Sequence, residues 1–255
     1  MSFPFVAALS DKAVTVEYAS TTDMRVGTMG MTEDASMFRL CKAGAALTNP
    51  LAFKVTYENF QGGLTGTCVE GALTAAIAVG DETCQLTDAT NSRAADYYLD
   101  GYVCQPRASG DTIRRIWKSD AEVTATNMYK FHVTAPFTVT DAVGNTIMIY
   151  TNPYKDVRNG DAGPLGTGYD RIVGYVGHDV TSAYYFWCKV RGPHWCHIGN
   201  GGWPGAANLD RAVCAYPGGT LKFANDAWST TSDQYLGFLM HADNYGDAMI
   251  MLAIE

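Results

Sequence analysis

The chain has 255 residues, with 18 Lys and Arg against 26 Asp and Glu for a formal charge of −8; 17% of residues are charged and 47% are hydrophobic. That composition excludes a disordered polar chain. The acid excess argues against a protein whose main task is gripping phosphate backbones, because such affinity comes from clustered Lys and Arg that release counterions.

A chain of this length buries roughly 72% of the surface its unfolded form exposes, so a core forms without disulfide or metal staples. From the N-terminus, Met1 to Leu9 is mildly apolar but carries no Lys or Arg, so it reads as mature sequence and not as a secretory signal. Phe3 and Phe5, around Pro4, suit an arm that docks on a neighbour or a first strand folded onto its own core. Val14, Val16 and Tyr18 alternate with Ala13, Thr15 and Glu17, which predicts a half-buried strand. Thr32 to Cys41 has acids near its start and admits a short helix, yet Phe38 and Leu40 alternating with Arg39 fit a strand as well.

Strands are also expected at Leu51 to Tyr57, at Tyr97 to Cys104, and around Tyr129, Phe131 and Val133, which oppose Lys130 and His132. Ile147 and Ile149 oppose Thr146 and Met148, and further apolar runs follow at Ile172 to Val176, Tyr184 to Val190, Tyr235 to Met240 and Ala248 to Ile254. Gly62-Gly63, Ser109-Gly110-Asp111, Gly144-Asn145, Arg191-Gly192-Pro193 and Pro217-Gly218-Gly219 supply turn chemistry between them. The expected fold is therefore all-β, mainly antiparallel with little helix, in a β-barrel or β-sandwich-like architecture. The lack of long amphipathic segments removes most α/β enzyme folds, whose parallel strands need helical crossovers.

Asn152 to Tyr169, rich in Gly and Pro, is the clearest break. It predicts an N-terminal β-rich domain over 1–151, a connecting loop over 152–169 and a C-terminal β-rich domain over 170–255. No period of 20 to 50 residues repeats in the sequence, and no run of 18 apolar residues suggests a membrane span.

Seven cysteines, an odd number without a disulfide rhythm, read as reduced and mostly buried in a chain made in a cytoplasm. The best local set for a metal is Cys188, His194, Cys196, His197 and Cys214, since thiolates and imidazoles together suit zinc. The spacing is poor: His194 and Cys196 share one strand face, His197 points away, and no C-x-x-C knuckle is present. A hydrophobic hairpin with buried Cys is the stronger reading, and no metal or other cofactor is expected.

No G-x-S-x-G elbow occurs, and Gly163 to Gly168 has glycines but no following Lys-Thr or Lys-Ser, so it reads as a surface loop. Asp226, Asp233, Asp243 and Asp247 lie in turn-like polar stretches and read as solvated acids, not a glycosidase pair. Arg114, Arg115 and Lys118, flanked by Asp111 and Asp120, read as a solvated strand face. Trp187 reads as core filler, whereas Trp203, within Asn200-Gly201-Gly202-Trp203-Pro204, sits in a loop and is the better partner contact.

Phe38 to Leu47, then Thr83 to Leu86 leading into Ala95 to Val103, Asn152 to Val157, Gly174-Tyr175-Val176, and Tyr184 to Cys188 leading to Arg191-Gly192-Pro193 occur in an order that resembles tailed-phage virion proteins of the head decoration, or capsid cement, type. The resemblance spans most of residues 25 to 255, and departs from the pattern around Cys188 to His197 and Gly199 to Gly205. It implies a virion location on the capsid surface, the major capsid protein as partner, many identical copies, homotrimers and no catalytic residues. Neither nucleic acid nor a membrane is an expected partner. Alternatives are a tail or connector protein, a carbohydrate-binding adhesion module with an aromatic platform at Trp203 or Trp228, and a virion hydrolase.

Overall fold

The computed structural model describes residues 6–20, 24–48, 55–58, 68–87, 94–106, 112–121, 123, 127–159, 171–197, 211–215, 221–223, 234–242 and 247–255. In chain order the strands are β1 (Val6–Ala8), β2 (Met29–Met31), β3 (Met37–Lys42), β4 (Val55–Glu58), β5 (Cys68–Ala72), β6 (Thr83–Thr87), β7 (Tyr102–Gln105), β8 (Thr112–Ser119), β9 (Met128–Val133), β10 (Thr146–Tyr150), β11 (Val157–Asn159), β12 (Arg171–Tyr175), β13 (Tyr185–His197), β14 (Ala212–Ala215), β15 (Leu221–Phe223), β16 (Tyr235–Ala242) and β17 (Asp247–Ala253). Among the described residues the only helical element is a 3₁₀ turn at Ala13–Thr15. The chain is nearly all β, as its alternating polarity requires.

Two compact units result: unit 1 combines Met1–Asn59 with Tyr154–Glu255, and unit 2 is Phe60–Pro153. This differs from the linear division expected at 1–151 and 170–255. One unit boundary falls between Pro153 and Tyr154, and β3 pairs with β13 across the sequence, which draws the N-terminal segment into the same unit as the C-terminal one. A loop-rich stretch marks a local boundary and carries no information about such distant pairing. Most of the expected 152–169 connection lies outside the described residues.

Unit 1 holds an eleven-stranded sheet ordered β1-β2-β3-β13-β17-β16-β14-β15, with β12 beside β13 and β4, and β11 beside β4. Its pairings are antiparallel except β1 with β2. Unit 2 holds an antiparallel sheet ordered β5-β10-β7-β8-β9-β6. A bridge between Leu73 and Leu86 brings its two ends together into a nearly closed barrel. Inside lie Leu86, Val103, Ile116, Phe131, Ile147 and Ile149, all fully buried. Tyr98 packs edge-on against Tyr129 and Phe131 among them.

Three local expectations give way. Ala13–Thr15 forms the 3₁₀ turn in place of a strand, which lets Val14 and Tyr18 both pack on Phe38, Leu40 and Trp187. The helix admitted at Thr32 to Cys41 does not form, because a turn with Ala35 at φ 62° feeds β3 and buries Phe38 and Leu40. Arg191-Gly192-Pro193 is not a turn. β13 runs straight through it, exchanging β3 for β17 as neighbour at a register shift between Lys189 and Arg191. Gly192, at φ 113°, lies where a Cβ would come within 2.6 Å of the Ser36 Oγ, and the Lys189 Nζ donates to the Pro193 carbonyl at 2.6 Å.

The same arrangement of backbone occurs once in each unit, without a matching residue repeat. β5 faces β10 with Ala72 opposite Thr146, Gly71 opposite Ile147 and Val69 opposite Ile149. β3 faces β13 with Lys42 opposite Tyr185, Cys41 opposite Phe186 and Arg39 opposite Cys188. Beyond β5, Leu73 and Ile77 bond to Asn145 and Asp141; beyond β3, Ala43 and Leu47 bond to Tyr184 and Val180 in the same pattern. On the other flank, Tyr102 pairs with Tyr150 as Tyr175 pairs with Lys189. The glycine before each tyrosine is held by the same constraint: a Cβ on Gly101 would lie 2.1 Å from the Tyr150 carbonyl oxygen, and one on Gly174 would lie 2.6 Å from that of Lys189.

Candidate interaction surfaces

Phe3, Phe5 and Trp203, the expected partner contacts, lie outside the described residues, as does Trp228. Of the five residues weighed for zinc, the three cysteines do not share one cluster, and the His197 side chain lies outside what the structure describes. Cys188 packs with Cys41 in one core cluster, Cys196 belongs to another, and Cys214 is buried without joining either. Among the described residues no group of three or more His, Cys, Asp and Glu side chains is placed to hold a metal ion. Alternation along β13 is the physical reason: His194 and Cys196 share a face, whereas Cys188 lies beyond the register shift.

His194 is part of a buried contact of a different kind. Its ring lies 4.4 Å from that of Tyr175, centroid to centroid and tilted by 41°. Among the described residues neither the His194 Nε2 nor the Tyr175 hydroxyl finds a hydrogen-bond partner, and both atoms are buried. Burial, followed by the charge of Lys189, lowers the His194 pKa from 6.5 to about 4, so the imidazole is neutral near pH 7. Burial also raises the Tyr175 hydroxyl well above its ordinary value and lowers the Lys189 ammonium, the latter opposed by Asp34. Asp34 itself is held down to about 2 by hydrogen bonds from the hydroxyls of Thr32 and Ser36.

Two sheet faces are exposed and apolar. In unit 1, Pro193 and Trp195 on β13 stand opposite Met251 and Met249 on β17, and Met251 stands opposite Phe238 on β16. Trp195, Phe238 and the neighbouring Met240 are 40%, 43% and 46% exposed. His194 and Cys196 point inward, so alternation alone places Trp195 outward. That signal was present in the sequence, although loop position favoured Trp203.

In unit 2 the barrel's outer face carries Met148, Cys104 and Ile113 in one row across β10, β7 and β8, and Tyr150, Tyr102 and Arg115 in the next. Trp117 follows on β8, with its ring 5.5 Å from that of His132. The face also bears ion pairs. Arg115 donates to Asp100 at 2.8 Å, and Asp120 lies 2.8 Å from Lys118 and 3.2 Å from His132. The hydrogen bonds from Lys118 and His132 lower the Asp120 carboxyl below its usual range. Of the expected basic group, Arg115 and Lys118 lie on this outer face beside aromatic rings, whereas Arg114 stands opposite the buried Val103 and donates to the Pro136 carbonyl.

These surfaces can bind by burying rings and thioethers, each fully covered side chain contributing roughly 1.5–3 kcal/mol. Among known proteins, no family model, curated sequence or solved structure matches the chain.

Proposed function

We propose that the chain is a structural protein of a tailed-phage virion, of the head decoration type, which binds the outer capsid surface and bridges shell subunits as repeated copies, most simply trimers. The observation that carries this reading is the uncharged outward face formed by Pro193, Trp195, Met249, Met251 and Phe238 on three adjacent strands. Such a face has the composition of a contact surface, with Trp, Phe and Met at its centre. It is set on paired strands, so little conformational entropy remains to be lost on docking. The order of phrases along the chain supports the virion assignment.

A protein that binds only the mature lattice adds its binding free energy to that state. Several weak patches per assembly then act together through a high effective concentration. The test is co-sedimentation of the purified chain with mature and immature shells of the phage that encodes it. Saturable binding to mature shells, lost in Trp195→Asp and Phe238→Asp with the fold intact, is expected. No binding to either shell, or binding indifferent to both substitutions, overturns the reading.

A further inference from the structure

We propose that Cys41 and Cys188 form a reversible disulfide that fastens β3 to β13 when the chain meets a small-molecule disulfide such as oxidised glutathione. The proposal stands apart from the shell-binding reading and requires no shell. Register supplies the first argument. Cys41 stands opposite Phe186 and Cys188 opposite Arg39, so the two cysteines are diagonal neighbours on one face of adjacent strands. Both belong to the same core cluster, and their thiols are hydrogen-bonded to each other. Gly174 leaves room for the pair, since a Cβ there would lie 2.6 Å from the Cys188 Sγ. Neither cysteine is in a disulfide in the structure. Among the described residues no other core cluster contains two cysteines: Cys84 lies in one and Cys196 in another.

Burial decides how the bond forms. Both cysteines are 0% exposed, and burial, followed by the hydrogen bond with Cys188, pushes the Cys41 thiol well above its ordinary value. The closed sheet therefore withholds the thiolate that attacks a disulfide. Local opening of the pair exposes one cysteine, which loses its proton to water and attacks the small disulfide; a mixed disulfide forms and one small thiolate leaves. On reclosing, the diagonal register brings the second sulfur against the mixed disulfide at high effective concentration. That sulfur gives up its proton to solvent and displaces the second small thiolate. Two cysteine thiols are thus oxidised to one disulfide, and one small disulfide is reduced to two thiols. A core in which both positions are fully covered has no space for a lasting glutathionyl group, which favours the internal bond over the adduct. Diagonal neighbours stand farther apart than directly opposed ones, so the bond draws the strands together under strain and is readily reduced. The loop it closes encloses all of unit 2, and this restricts the unfolded chain.

The test holds the reduced full chain in oxidised glutathione, at urea concentrations below its unfolding transition, and quenches with iodoacetamide. Intact mass and non-reducing peptide maps then read the product. Loss of the mass of two hydrogens is expected, with the Cys41 and Cys188 peptides joined, and faster as urea promotes opening. Dithiothreitol should reverse it. The linked chain should melt about 5 °C or more above the reduced one. Cys41→Ala and Cys188→Ala should each lose the link, whereas Cys84→Ala and Cys196→Ala should keep it, with circular dichroism reporting that each variant is folded. The wild-type map decides even where a variant at a buried cysteine fails to fold. Shell binding is not among the readouts, so this proposal and the preceding one fail separately. No link between these two peptides in the folded chain overturns the proposal. So do glutathione adducts that persist in its place, preferential joining of other cysteines, or a linked chain no more stable than the reduced one.

Discussion

The two units build one strand arrangement and finish it differently. In both, an antiparallel pair in the same register is flanked by a Gly-Tyr strand, and one face of the pair lies in a core: Ile147 and Ile149 in unit 2, Phe186 and Cys188 in unit 1. The opposite face is where they part. Unit 1 places Trp187 there and covers it with its N-terminal segment, whereas unit 2 places Met148 and Tyr102 there and leaves Tyr102 in solvent. Backbone register and close-approach glycines therefore define the framework, and the outward residues define what it touches.

The framework half of that comparison breaks most forcibly at the two glycines. Gly101→Ala and Gly174→Ala each drive a methyl group into a backbone carbonyl, of Tyr150 and of Lys189 respectively, and neither oxygen can move without opening the sheet. Each substitution is expected to cost more than about 3 kcal/mol. Hydrogen exchange should show the loss centred on β10 and β7 for Gly101→Ala, and on β13 and β12 for Gly174→Ala. Equal protection in wild type and variants would show that the shared register does not rest on these contacts.

Next in size is the consequence of burying Tyr175 where unit 2 exposes Tyr102. The buried His194 beside Tyr175 has its pKa lowered to about 4 in the folded chain, against 6.5 for the free group. Between these values the unfolded state takes up a proton that the folded state refuses, so stability declines as pH falls from about 6.5 to about 4, by up to about 3 kcal/mol. Asp34 acts in a lower window: its carboxyl is depressed to about 2, so its contribution is present above its ordinary value of 3.8 and lost as pH falls towards 2. Urea titrations at pH 7 and 4.5 should show the decline in wild type and a much shallower one in His194→Phe. An unchanged slope in the variant would remove His194 as its cause.

Strand identity was largely legible in the sequence, because period-two polarity reports which face is buried. Tyr129, Phe131 and Val133 are buried against exposed or half-buried Lys130 and His132, as alternation requires. What alternation cannot report is the partner of each strand. The pairing of β3 with β13 places residues 1–59 with the C-terminal half, and no local pattern encodes it. Arg191-Gly192-Pro193 misled for a related reason: residues that make turns also serve where a strand changes neighbours beside a crowding side chain, here Ser36. The surfaces were half legible. The outward setting of Trp195 follows from its neighbours on β13, but the convergence of Tyr102, Ile113 and Trp117 needs the register between β7 and β8 and the proximity of Trp117 to β9.

The smallest effect offers the finest test of the correspondence. Each unit turns into its central strand through the same bonds, Asn145 to Ala142 in one and Tyr184 to Thr181 in the other. The residue before the bonded amide adopts positive φ in both, Gly144 at 86° and Ala183 at 68°. A Cβ on Gly144 would meet nothing within 4 Å, so Gly144→Ala adds backbone strain of about 1–2 kcal/mol, partly offset by about 0.4–1 kcal/mol from the less free unfolded chain, for a net destabilisation of up to about 1.6 kcal/mol. Ala183→Gly relieves the same strain but restores freedom to the unfolded chain, a term of about 0.4–1 kcal/mol, so its net gain should be under about 1 kcal/mol. Opposite signs in thermal melts are what one shared turn requires. A Gly144→Ala chain more stable than wild type would mean that the positive-φ position in unit 2 imposes no constraint, and the parallel between the turns would fail.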